Sequence, residues 1–334
     1  MGKELTKVNC IVSSDISISG EPTIGAFESA LEIAKEKQPT CILGIGGGSP
    51  LDVAKLVAAF LDSNQTVHQT FGIGLLASRN CHLVCVPTTS GTGSEVSPNA
   101  ILLDDEAQLK KGVISPHLVP DATFVDPELT RTVPPDITAY TGLDALIHCI
   151  EAYTNAFSHP LVDLYAIRGI ELATQHLVAA VQDGANIEAR TGMSLASLYG
   201  GLCLGPVNTA AVHALAYPLG GEFHIAHGLS NALLLPAVFR FNAKASPLRH
   251  AAVAIALGAD VGTNDMDTAL RGVKRVTTLA TECGVLLDLG HYGIRRSDVP
   301  HLAEVAMTVT RLLRNNPRVI QQEDVEQLYL QSFA

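Results

Sequence analysis

Apolar positions change their period along the chain. In the first third, short apolar runs alternate with stretches whose apolar residues recur at helical spacing. Val8–Val12, Cys41–Ile45, His82–Pro87 and Ala122–Asp126 read as strands. Thr23–Lys37 and Pro50–Leu61 read as helices, the second with proline near its start, where a fixed φ and a missing N–H do least harm. Asn99–Leu103 and Lys111–Ser115 flank a charged link and predict a hairpin. Strand–helix alternation of this kind predicts βαβ units around a parallel sheet.

Beyond Pro134 and Pro135 the period becomes helical almost throughout. Leu161–Ala180, Ile187–Leu204, Thr209–Leu219, Asn231–Phe241, Pro247–Leu257, Asp265–Cys283, Val299–Arg314 and Gln322–Phe333 all fit helices. The change of texture, punctuated by Pro127, Pro134 and Pro135, places a boundary near residues 128–136. The expected division is an α/β domain over 1–132 and an all-helical domain over 133–334.

Composition fits two buried cores: 334 residues, 47% hydrophobic and only 16% charged. A net charge of −11 argues against nucleic-acid and anionic-membrane partners. No apolar run is long enough to span a bilayer, and no secretory leader pattern opens the chain, so the expected location is cytoplasmic. Seven cysteines form no C-x-x-C pattern and lie mostly in apolar runs, which reads as buried reduced thiols. Cys81 and Cys85 bracket a strand and are expected to be structural rather than a metal clip.

Two loops carry candidate anion chemistry. Gly44-Ile-Gly-Gly-Gly-Ser-Pro-Leu-Asp52 follows a strand and opens a helix, so backbone N–H groups and a helix N-terminus can face a phosphate. It departs from G-x-G-x-x-G, and a plain tight turn is the competing reading. Pro87-Thr-Thr-Ser-Gly-Thr-Gly-Ser-Glu-Val96 is dense in hydroxyls at the end of another strand, where open sheets bind ligands. Four further residues suggest a metal. Asp144 and His148 stand at i, i+4 on one predicted helix face, and His213 and His227 lie in later apolar stretches. One oxygen and three nitrogen donors suit a borderline divalent ion such as iron or zinc. A buried Asp–His cluster without metal is the alternative at this point. His224 has ligand spacing to His227 but reads as a decoy, and His117, His159 and His176 read as surface residues.

Taken in order, the segments Gly46–Asp52, Pro87–Glu95, Gly142–Tyr153, His213–Gly220 and His227–Ala232 resemble the iron-containing (group III) alcohol dehydrogenases, and Asn316-Pro-Arg near the end is similar too. The resemblance covers essentially the whole chain. It implies a Rossmann-like dinucleotide-binding domain followed by an all-α metal domain, with the site between them. It implies that Asp144, His148, His213 and His227 bind Fe(II), or zinc in some members. Gly46, Gly47, Gly48 and Ser49, with Asp52 nearby, would hold the pyrophosphate of NAD or NADP. Thr88, Thr89 and Thr92 would line the nicotinamide side, with Asn99, Lys110 and Leu129 as further contacts. The implied reaction is hydride transfer between a small alcohol or aldehyde and the dinucleotide, in a homodimer or higher homo-oligomer.

The chain departs from the family pattern twice. It is expected to lack the first βα unit, which normally carries an acidic residue that contacts the adenosine ribose. Tyr217 stands where many members have a histidine near the metal, and a phenol has a much higher reference pKa. Two other readings stay open, the first from the missing unit and the second from related folds. One is a catalytically impaired paralogue that binds metal but no dinucleotide. The other is a related enzyme such as a maleylacetate reductase, a glycerol dehydrogenase or a dehydroquinate synthase-like lyase.

Overall fold

The computed structural model describes residues 6–7, 10–18, 20–106 and 109–334. The strand expected over Val8–Val12 lies partly outside them, and its described part, Cys10–Val12, is exposed and unpaired with any strand. Helix α1 (Ile24–Lys37) opens where the Thr23 hydroxyl accepts from the Ala26 N–H. Strand β1 (Cys41–Gly46) and helix α2 (Gly48–Phe60) follow, then β2 (Gly72–Ile73), β3 (His82–Pro87), β4 (Asn99–Asp104), β5 (Leu109–Ile114) and β6 (Ala122–Thr123).

These strands form two sheets rather than the single one expected. β1, β3 and β6 are parallel, with β3 central. The expected hairpin forms, β4 antiparallel to β5, but it belongs to a separate sheet whose other edge is the short parallel β2. The strand expected over Ala122–Asp126 pairs over only two residues.

α2 explains how both sheets stay together. Leu51, Ala54 and Ala58 pack on Leu83 and Cys85 of β3, while Val53, Leu56 and Phe60 pack on Leu102 and Val113 of the hairpin. A helix covered on two sides can be apolar nearly all round, and this one is. Its exception is Lys55, wholly buried, whose ammonium donates to Ser94 O at 2.9 Å, Ser94 Oγ at 3.1 Å, Ser97 Oγ at 3.4 Å and Asn99 O. One buried cation thus ties α2 to the loop after β3.

From Pro135 onward the described chain is helical: α3 (Pro135–Thr154), α4 (Pro160–Gln182), α5 (Ile187–Leu204), α6 (Ala211–Phe223), α7 (His227–Ala243), α8 (Pro247–Ala256), α9 (Asp265–Glu282), α10 (Val299–Met307), α11 (Thr310–Leu313) and α12 (Gln322–Leu330). One apolar core runs through them, centred on residues such as Leu146, Ile147, Leu215, Leu234 and Leu302. The single helix expected over Val299–Arg314 is two, broken at Thr308 and Val309. Of the cysteines, Cys10 and Cys41 are exposed, contrary to expectation, while the other five are buried and all seven are free.

Candidate metal centre and dinucleotide cleft

Helix α3 supplies three groups of the centre. Asp144, His148 and Glu151 follow at i, i+4 and i+7 and share one buried face. Asp144 Oδ1 is the point on which the others converge. It lies 3.4 Å from His213 Nε2 and 3.8 Å from the Nε2 atoms of His148 and His227. The His148 and His213 rings stack with centroids 4.8 Å apart, and His227 tilts against His213 at 5.3 Å. Bonds of about 2.1 Å to a tetrahedral ion set neighbouring ligand atoms roughly 3.4 Å apart. The ligand atoms of Asp144, His148 and His213 lie within 4.8 Å of one another and fit one small divalent cation, with His227 beside Asp144 on the open side.

The remaining histidines reach the centre through helix ends. His224, in the left-handed region at φ 54°, terminates α6, and α7 begins three residues later at His227. His224 itself is exposed. Gly228 allows the approach: a Cβ there would lie 2.0 Å from Tyr140 O and 3.2 Å from Asp144 Cβ. His213 is held from behind. Its Nδ1 donates to Glu151 Oε2 at 2.6 Å, and the same carboxylate accepts from Val212 N at 2.6 Å and Ala210 N at 3.1 Å. Those N–H groups open α6, whose N-cap residue offers no side chain of its own. Glu151 therefore caps the helix and fixes the ring with one group. Asn231, one turn after His227, donates to Asp144 Oδ1 at 2.7 Å.

Electrostatics favour the deprotonated form, which a metal ligand needs, at three of the four residues. Burial alone would raise the Asp144 carboxyl, but the three imidazoles outweigh it and hold the group well below the usual range. Burial pushes His227 down to about 3, helped by Lys110 and His213. Burial also lowers His148. His213 goes the other way, to about 9, because bonding to Asp144 and Glu151 overcomes its burial. A single positive charge among these groups is thereby favoured.

Tyr217 is buried on α6, its ring 6.5 Å from that of His227. Burial raises its phenol, and the nearby Arg311 only partly opposes this. It is a hydrogen-bonding group and not a base at neutral pH.

The two candidate loops face one another. A Cβ on Gly47 would meet Thr89 Oγ1 at 3.3 Å, and one on Gly48 would meet Thr92 Cγ2 at 2.7 Å. Thr88 N donates to Gly46 O at 2.9 Å. Gly47 is the N-cap of α2 without a side-chain bond, and Ser49 stands in the first turn, so that helix start keeps N–H groups for an anion. Asp52 is turned inward instead: it accepts from Ser94 Oγ and from Ile101 N at 2.9 Å, with Lys55 3.8 Å away. These bonds fasten the start of α2 to the loop after β3 and to β4. Asn99 opens β4 and accepts from Asn208 Nδ2 at 3.3 Å. Leu129 lies on a one-turn 3-10 helix, over a third exposed.

Lys110 joins the two halves. It is buried on β5, paired with Glu21 at 2.8 Å, and lies 3.1 Å from the point where a Cβ on Gly220 of α6 would stand. Sequence reasoning missed Glu21, Lys55, Glu151 and Asn231. The last two carried a legible signal, helical spacing from His148 and from His227.

A glycine-lined crevice at the ends of parallel strands, with a buried carboxylate–imidazole cluster on the helical side, is an arrangement suited to an oxidoreductase. The chain belongs to the iron-containing alcohol dehydrogenase family: the family's N-terminal profile matches residues 3–127 and its Fe-containing C-terminal profile residues 138–333. It is 36% identical over 319 residues to a long-chain-alcohol dehydrogenase 1 of Geobacillus thermodenitrificans, covering 94% of this chain and 80% of that protein. The crystal structure of a 1,3-propanediol oxidoreductase superposes with a TM-score of 0.95 at 31% identity, over 99% of this chain and 87% of that one. A sulfoacetaldehyde reductase of Bifidobacterium kashiwanohense, solved with NAD+, gives 0.87 at 26% identity, over 99% and 87%. The expected family is thus correct, and so is the expected class, a parallel-sheet α/β part followed by a mostly helical one.

Proposed function

We propose that this alcohol dehydrogenase holds Fe(II), with zinc as the other candidate, on Asp144, His148, His213 and His227, and interconverts a small alcohol and its aldehyde with NAD or NADP. The convergence of three imidazole Nε2 atoms on one buried Asp144 oxygen carries this reading. When bound, the cation supplies Lewis acidity and the nicotinamide supplies the hydride acceptor. The chain does the rest. Gly46, Gly47, Gly48 and Ser49 offer backbone N–H groups to the pyrophosphate, and Thr88, Thr89 and Thr92 form the facing wall. The apolar core behind α3 and α6 keeps water from the donors. Lys110, held by Glu21, stands between β5 and α6 as a further cofactor contact.

The division at 132 and 133 is part of this proposal, supported by the uninterrupted helices that begin at Pro135. So is a cytoplasmic homodimer or higher homo-oligomer. Free cysteines support the reducing compartment, and exposed Leu161, Leu164 and Tyr165 along α4 support self-association. A net charge of −11 supports the absence of nucleic-acid partners.

The test is His227→Ala, with metal content measured after anaerobic purification and turnover measured on an alcohol panel with NAD and NADP. Loss of both metal and turnover is expected. Full turnover without bound metal overturns the reading.

A further inference from the structure

Asn231 is fully buried on α7, between Ser230 and Ala232 in an otherwise apolar stretch. A carboxamide in such surroundings costs about 1–3 kcal/mol unless its polar atoms are bonded. Every partner within reach of its Nδ2 is an atom already assigned to the centre. Asp144 Oδ1 is at 2.7 Å, His213 Nε2 at 3.0 Å and His227 Nε2 at 3.3 Å. All three are hydrogen-bond distances, so the one carboxamide touches three of the four atoms assigned to the cation. Its other end is Oδ1, buried and without a donor.

The chemistry fixes the orientation of the amide. An ionised carboxylate only accepts, so the N–H end must face Asp144. Imidazoles that give their lone pairs to a cation cannot also accept, so the bond to Asp144 is the one that persists with the ion in place. Oδ1 then points away from the ligand atoms, as an acceptor for a water or hydroxyl. His227 and Asn231 sit one turn apart on one helix, so the same element that delivers a ligand also delivers the group that aligns it.

We propose that Asn231 is a fifth side chain of the metal centre, a positioning residue whose carboxamide holds Asp144 in register with the imidazoles of His213 and His227 for a single divalent cation. This rests on the metal reading of the four ligands. Loss of such an outer partner lowers metal affinity by roughly 10- to 100-fold.

The experiment compares wild type, Asn231→Leu, Asn231→Ser and His148→Ala. Zinc affinity is measured by chelator competition, and the visible spectrum of each protein is recorded with Co(II). Asn231→Leu keeps the shape and removes the donor, so a fall in affinity of at least tenfold and a changed Co(II) spectrum are expected. Asn231→Ser restores a short donor and should recover part of both. Circular dichroism and thermal unfolding of the metal-depleted proteins check folding, and a variant that fails to fold leaves the other to decide. Wild-type affinity and spectrum in a folded Leu or Ser variant overturn the proposal. If wild type and His148→Ala bind zinc equally weakly, the metal reading itself falls.

Discussion

Glu151 Oε2 stands 2.6 Å from His213 Nδ1 while the opposite nitrogen of that ring faces Asp144. The ring is therefore held between two buried carboxylates, one to orient it and one to share its task. Glu151→Leu is expected to lower zinc affinity roughly 10- to 100-fold. It should also loosen the start of α6, since Val212 N and Ala210 N lose their acceptor. Chelator competition reads the first effect, and amide hydrogen exchange at Ala210 and Val212 reads the second. Unchanged affinity would remove Glu151 from the centre.

Lys55 concerns stability rather than chemistry. Its ammonium is wholly buried beside Asp52, and burial lowers its pKa against the pull of that carboxylate. Lys55→Met leaves Asp52 and several loop acceptors uncompensated, which costs about 3–5 kcal/mol in comparable buried pairs. Urea unfolding should show it. Pairing Lys55→Met with Asp52→Asn should recover part of the loss. A single-variant loss under about 1 kcal/mol would mean that water replaces the ammonium.

His250 sets a pH dependence. It is buried on α8, edge-on to Phe239 at 4.9 Å, and burial lowers its pKa to about 4. The unfolded chain keeps an ordinary value near 6.5. Between those two values the unfolded state binds more protons, so stability rises with pH across the window and levels off above it. The swing from this residue is about 3 kcal/mol. His250→Gln should flatten the curve of unfolding free energy between pH 4 and 6.5 relative to wild type. An unchanged slope would show that His250 titrates normally.

Tyr217 holds its proton through neutral pH because burial raises its phenol. Tyr217→Phe should retain full metal content and lose at most about tenfold in turnover, below the roughly 100-fold at which removal of a general acid–base group begins. Tyr217→His should add an ionisation to the profile of kcat/KM between pH 5 and 8. A larger loss in the Phe variant would make the phenol a proton-transfer group.

Legibility in the sequence followed the range of the interaction. Helices with long apolar periods, such as Ile187–Leu204, were placed to the residue. Asp144 and His148 were legible because one helix turn joins them, and His213 and His227 because imidazoles stand out in apolar stretches; the family resemblance then joined the four. The two-residue strands at Gly72 and Ala122 carry no period, and the split into two sheets depends on pairing between distant segments, which local pattern does not encode. The break at Thr308 was hidden because apolar spacing continues across it. Lys55 was hidden because a lysine in a helix normally reads as solvated. Asp52 was assigned to the cofactor by motif, yet its oxygens are taken up by Ser94 and Ile101.

Asp144, His148 and Glu151 are written on one helix, and nothing but its winding keeps them in line. Each residue added to an α-helix turns everything beyond it by about 100°. A one-residue insertion between His148 and Glu151 would carry the carboxylate round to another face, taking the cap from α6 and the brace from His213 together. Loops around this centre can lengthen over evolutionary time, but this segment is locked to its residue count.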